Sequence, residues 1–244
     1  MWRYIRRSKK PDQALASKVL VLARQTFCSL CGKMEDVLSV YARPFDPKRP
    51  VVCLDEKSKE LRGEIREPLL CQPGRAARSD SEYVRNGTAN LFAWVEPLVG
   101  KRGVCVTDRR TAADFGRMLR HLSEVVYPSA QKIVLVVDNL NTHGTQSLYE
   151  AFEPPEAHRL AERFEWHYTP EHGSWLNIAE CELSVLERQC LSRRIADKET
   201  LEREVTAWES VRNGEASVID WQFTTADARI KLRRLYPIIH NASG

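Results

Sequence analysis

An α/β fold, with a five-stranded sheet flanked by helices, is predicted by three observations. Ile133–Val137 is a run of five apolar residues, three of them valine. It is too short for an ordinary helix and lacks the polar alternation of a half-exposed strand, so it reads as a central strand covered on both faces. Val51–Leu54 repeats that pattern after Lys48-Arg49-Pro50. Between the two, Phe115, Met118, Leu119, Leu122, Val125 and Val126 keep the i, i+3, i+4, i+7 spacing of a helix lying on a sheet.

The whole chain bounds the class. Its 244 residues suffice for one domain with a full core, and 43% hydrophobic with 29% charged residues is the balance of a water-soluble globular protein. No run approaches the length of a membrane span. The net charge of +4 suits either a polyanionic partner or a merely solvated basic surface. Seven cysteines, an odd number scattered through predicted strands and helices, do not form a disulfide framework and indicate a reducing compartment. Cys28 and Cys31 make a CxxC with no second pair at zinc-finger spacing. The basic head before Ala14–Ala23 mimics a signal peptide, but Lys18 and Arg24 interrupt it and export is rejected.

The remaining elements follow in order. A basic head and the short helical pattern Leu15–Ala23 occupy residues 1–32, and Lys33–Tyr41 has helical spacing before Pro44 and Pro47 break the chain. The Val51–Leu54 strand is expected to stop at Asp55-Glu56-Lys57-Ser58, and the polar stretch Lys59–Gly87 reads as a long hairpin or surface loop. Asn90–Val95 and Gly103–Thr107 are the next strands. Thr111 and Asp114 have capping-box spacing at the start of the amphipathic helix, and Pro128 ends it. Gln146–Arg163 is helical with an interruption at Pro154-Pro155, Phe164–Tyr168 is the fifth strand, and helices follow over Leu176–Arg188, Asp197–Asn213 and the basic Thr225–Tyr236.

Two of these strands lead into aspartates. Asp138 is followed by Asn139, Asn141, Thr142 and His143, and ligands gather where the strands of open α/β sheets reach their carboxyl ends. Asp-Asn after a strand is also ordinary turn chemistry. Asp55 raises the same pair of readings. On the Leu176–Arg188 helix, Glu180, Glu182 and Glu187 all fall on the border of the apolar stripe, so periodicity does not choose among them.

Arg49–Lys57, Val136–His143 and His167–Glu180 carry a resemblance: residues 33–237 resemble the catalytic domain of bacterial insertion-sequence transposases related to the mariner group, in the DDE superfamily. The family's third acid follows a Leu-Asn-x-x-Glu pattern, which Leu176-Asn177-Ile178-Ala179-Glu180 supplies. The resemblance implies a ribonuclease H-like fold with a mixed sheet, and Asp55, Asp138 and Glu180 as catalytic residues and metal ligands. It implies Mg²⁺ or Mn²⁺, two ions, consistent with hard oxygen donors. It also implies cleavage of DNA element ends, transfer of the 3′-hydroxyl into target DNA, a homodimer when assembled on DNA, no membrane, and a bacterial cytoplasmic, nucleoid-associated setting. Asn139, His143, His172, Ser174 and Asn177 are the substrate-positioning candidates. The family places a helix-turn-helix DNA-binding region ahead of the catalytic domain, whereas 54 residues precede Asp55 here. Residues 1–32 are therefore left as an unassigned basic segment, the remnant of a truncation, and 33–244 as the catalytic domain. Two other functions stay open, a purely hydrolytic nuclease of the same fold and a non-catalytic DNA-binding remnant.

Overall fold

The computed structural model describes residues 13–66, 72, 74, 81–140, 142–171 and 173–236, with side chains from residue 27 onward. Five strands, β1 (Val51–Glu64), β2 (Tyr83–Glu96), β3 (Lys101–Thr107), β4 (Ile133–Val137) and β5 (Phe164–Tyr168), form one sheet in the order β3-β2-β1-β4-β5. β2 is antiparallel to both β1 and β3, while β1, β4 and β5 run parallel, so the sheet is mixed as expected.

Helices cover both faces, as the doubly apolar β4 requires. α2 (Ala112–His121), α3 (Gln146–Ala151) and α4 (Pro154–Ala161) pack on one face, where Val52, Leu54, Phe92, Ile133, Leu135 and Val137 meet Phe115, Leu119, Leu148 and Leu160. α1 (Gln13–Tyr41), α5 (Ile178–Leu186), α6 (Lys198–Gly214) and α7 (Thr225–Lys231) cover the other, against Cys53, Val95, Val134 and Val136 near α1 and α5, and against Leu91 and Ala93 near α5 and α6.

Several boundaries follow directly from local chemistry. Thr111 caps α2 in a capping box with Asp114, both reciprocal bonds present, and Asp197 accepts the Thr200 N–H at the start of α6. Pro154 opens α4, where a missing N–H costs nothing. Gly116 lets α2 and α3 touch, since a Cβ there would meet the Ser147 carbonyl at 2.5 Å.

Two expectations are corrected. The first strand does not stop at Asp55 but continues to Glu64, because β2 supplies backbone partners from Cys53↔Val95 to Glu64↔Tyr83, with a bulge at Leu61/Arg62. The side chains of this arm are polar except for Leu61, which packs beside α5 and α6, and Gly63, so the sequence resembles a loop. The second concerns α1, a single helix from Gln13 to Tyr41 that runs through position 32/33, where two separate helical segments are predicted. Its described apolar side, Met34, Val37 and Leu38, is buried against the sheet. The basic C-terminal helix is a solvated face whose Arg229 donates to Glu35 at 2.7 and 2.8 Å. Among the described residues no helix is long and apolar enough to cross a membrane.

Candidate active site

The sheet opens where its parallel ladder ends. Cys53↔Val136 is the last pair between β1 and β4, and two residues further along each strand come Asp55 and Asp138. Side chains alternate faces along a strand. Asp55 therefore shares the face of Cys53, which is covered by α5, while Asp138 stands one residue past the end of β4, close enough for its charge to bear on Asp55. Asp138 is half-buried just past the end of β4.

The start of α5 is fastened to this opening. Asn177, fully buried, donates from Nδ2 to the carbonyl of Leu54 at 3.0 Å and accepts the Ala179 N–H on Oδ1 at 3.1 Å. One side chain thus caps the helix that carries Glu180 and ties it to the residue preceding Asp55. Tyr41, at the end of α1, donates to the Leu176 carbonyl at 2.7 Å. Replacing Asn177 with Ala removes both bonds and is expected to destabilise the fold by about 2 kcal/mol. Urea unfolding measures it, and a loss below roughly 0.5 kcal/mol contradicts the positioning role.

The three border glutamates separate in three dimensions. Glu182 is 5% exposed and sits in a buried ion cluster, 3.3 Å from Arg102 Nε and accepting from Arg212 Nη2 at 3.1 Å. Glu187 pairs with Lys57 at 2.9 Å. Glu180 is half-buried, and its charge bears on Asp55. Burial pushes the Asp55 carboxyl up to about 7; the Glu56 N–H it accepts at 2.9 Å opposes this, and the charges of Asp138, Glu56 and Glu180 add to it.

On the opposite face of β1 lies a residue that sequence reasoning missed. Glu56, one position past Asp55, points with Val52 and Leu54 toward α2. There the His143 ring, 3% exposed, stacks on Phe115 with centroids 4.3 Å apart. Its Nδ1 contacts Asp138 Oδ1 and its Nε2 lies 2.8 Å from Glu56 Oε2, forming an ion pair. Burial opposes charge on the ring, but the Asp138 and Glu56 carboxylates outweigh it and raise His143 to about 9. His143 is thus an imidazolium clamped between two carboxylates, one of them a candidate catalytic acid. The signal that could have revealed Glu56 was the strand alternation itself, had β1 been extended through Asp55.

The other candidates are placed less tightly. Asn139 and Ser174 are exposed, and the Ser174 carbonyl accepts the Asn177 N–H at 2.7 Å. His172 lies outside the described residues. Among the described residues no three His, Cys, Asp or Glu side chains are already drawn together as a metal-ligand set, and Cys31 donates to the Leu235 carbonyl at 3.2 Å.

A family model described as DDE superfamily endonuclease matches residues 50–202, more than half of the chain. The chain belongs to the DDE superfamily endonucleases. The matched segment begins just before β1, ends within α6 and contains Asp55, Asp138 and Glu180. Among solved structures, this DDE endonuclease is similar to the mariner Mos1 paired end complex with Mg, at 17% identity and a TM-score of 0.55 over 98% of this chain and 67% of that one. It is similar to the Mos1 mariner paired end complex with Mn at 17% identity and a TM-score of 0.52, covering 89% and 60% of the two chains. The Mos1 strand transfer complex gives 16% identity and a TM-score of 0.52 over the same shares. The likeness is one of fold, and it is the ribonuclease H-like fold expected. The chain spans about 60% of the length of the chain in the Mn paired end complex. No curated protein matches it.

Proposed function

We propose that this DDE superfamily endonuclease acts, through residues 33–244, as the catalytic domain of a DNA transposase that cuts element ends and joins the freed 3′-hydroxyl to target DNA. The observation carrying this reading is that Asp55 and Asp138 each stand two residues past the last β1–β4 pair and that the charges of Asp138 and Glu180 both bear on Asp55. Membership in an endonuclease family and the fold shared with transposase complexes support it.

The donor set fits a hard divalent cation. Three carboxylates offer oxygen only, and Asp55, its pKa raised chiefly by burial and further by the charges of Asp138, Glu56 and Glu180, stands where a cation would stabilise the ionised form. Asp55, Asp138 and Glu180 are the residues that would hold Mg²⁺ or Mn²⁺, two ions in this reading; such ions lower the pKa of water and stabilise charge on attacking and leaving oxygens. The protein's own groups orient these acids. His143 engages one oxygen of Asp138, Asn177 holds the start of α5 against Leu54, and the Arg102–Glu182–Arg212 cluster fixes the rotation of α5 about its axis. Asn139 and Ser174, exposed beside the acids in sequence, and His172 contact the DNA in this reading, which assembles two copies of the chain on paired ends.

Two measurements test it. Mg²⁺ at about 100 times its Kd contributes about 2.7 kcal/mol, a rise of about 5–10 °C in Tm for a chain of this size. Glu180→Gln is expected to abolish most of that rise together with cleavage. Incubating pre-cut 3′-hydroxyl ends with a target plasmid is expected to yield joined products. Cleavage without joining assigns a hydrolytic nuclease instead, and neither cleavage nor a Tm response leaves a non-catalytic remnant.

A further inference from the structure

Beyond the acids, along both elements that carry two of them, lies a groove of about 490 Å³. Lys57 and Lys59 follow Asp55 on β1 by two and four residues, on its face of the strand, and Glu187 follows Glu180 by about two helical turns. The groove is lined by five cations, Lys57, Lys59, Arg62, Arg193 and Arg194, against two carboxylates, Glu60 and Glu187. Positive charge therefore exceeds negative along the groove lining, with Glu204 and Glu64 pairing Arg193 and Arg194 from its rim, on a chain whose overall charge is only +4.

The wall opposite β1 is fastened in place. Lys59 Nζ donates to the Leu191 carbonyl, the Arg62 N–H to the Ile195 carbonyl at 2.8 Å, and Asn86 Nδ2 to the Ala196 carbonyl at 2.8 Å. The Arg62 and Arg194 guanidinium groups lie 4.5 and 5.7 Å from the centre of the Tyr83 ring. Lys57 and Arg193 instead reach solvent, with side chains 36% and 58% exposed and paired to Glu187 and Glu204. Such surface pairs contribute little and exchange readily for a stronger anion. Lys57 and Lys59 step away from Asp55 at about 6.6 Å each, a length over which a DNA strand carries about two phosphates.

We propose that this groove seats the sugar-phosphate backbone of the strand being cut, on one side of the scissile phosphate and without reading bases. The proposal rests on the reading of Asp55, Asp138 and Glu180 as a phosphodiester-cleaving centre. Among the described residues no aromatic ring lines the groove, the nearby Tyr83 ring being engaged by two guanidinium groups, and phosphate contact is what ammonium and guanidinium groups provide.

The test compares two double variants that remove the same charge. Lys57→Gln/Arg193→Gln strips the groove, and Arg117→Gln/Arg159→Gln strips exposed arginines of α2 and α4 across the sheet. Binding of a duplex of arbitrary sequence is measured in EDTA across a salt series, and cleavage with Mg²⁺. The groove variant is expected to bind about ten-fold more weakly, to lower the slope of log K against log salt by about 2, and to keep its kcat at saturating DNA. The α2/α4 variant is expected to match the wild type. Equal weakening in both variants, or a groove variant with unchanged affinity and slope, overturns the proposal while wild-type cleavage leaves the functional reading standing. A wild type that neither binds nor cuts DNA overturns both.

Discussion

Replacing Asp55 with Asn is expected to stop DNA cleavage and at the same time to make the protein more stable. The carboxyl titrates at about 7 in the fold because burial and three neighbouring carboxylates disfavour its charge. The folded state therefore binds a proton that the unfolded state, titrating near 3.9, has already lost. The resulting penalty is absent below pH ~4, grows as pH rises, and is complete above pH ~7. Asparagine keeps an oxygen to accept the Glu56 N–H and carries no charge. With partial solvent access to Asp55 discounted, the gain is about 2 kcal/mol at pH 8, some 4–8 °C in Tm, and close to zero at pH 4. Cleavage is expected to fall by at least about 10³-fold. Thermal melts of both proteins at pH 4 and pH 8 without divalent ions check the first part; equal shifts at the two pH values count against an electrostatic origin.

His143→Leu is expected to produce the largest loss of stability of any substitution near the site. The imidazolium ring is 3% exposed and lies between Asp138 and Glu56, whose side chain is 6% exposed. Its pKa is raised to about 9, so the stabilisation is complete below the unfolded value of about 6.5 and is lost as pH rises through about 9. Leucine fills the volume and stacks on Phe115, but it leaves two carboxylates facing each other, with Arg110 3.8 Å from Glu56 as the remaining cation. Breaking a buried pair in this way costs about 3 kcal/mol. The double variant Glu56→Gln/His143→Leu removes one of the stranded charges and is expected to recover at least about 1 kcal/mol of that loss. Urea unfolding of the two single variants and the double variant closes the cycle, and strict additivity contradicts the clamp. Activity of Glu56→Gln is expected to fall about 10–100-fold, as for other groups that orient ligating side chains.

How much of this was legible in the sequence depends on where the deciding contacts lie. β4 and β5 were recognisable because their residues are apolar on both faces or bounded by clear breaks, and α2 because Thr111 and Asp114 announce its start. The acids on the two strands were visible as positions, whereas the third rested on a family likeness. Glu180, Glu182 and Glu187 are equivalent on a helical wheel, and only Arg102, Arg212 and Lys57, brought in from other elements, distinguish them. The arm of β1 past Asp55 was hidden because its partner strand begins only at Tyr83, beyond the polar stretch after Glu64, and supplies the hydrogen bonds that the polar side chains seem to argue against. Glu56 was lost with it. The anchoring roles of Tyr41 and Asn177 depend on the carbonyls of Leu176, just before α5, and of Leu54, within β1, which carry no signature in side-chain pattern.

The buried guanidinium of Arg102 has a bearing on when this molecule becomes able to act. Its partners beyond Glu182 are the carbonyls of Arg212 and Ser217, and Asn213 bonds both ways with its backbone. On a ribosome, all three acids emerge long before those residues do. A nascent chain would thus hold all three acids before α6 and the residues up to Ser217 had closed over the guanidinium and completed the anchoring of α5 through Glu182.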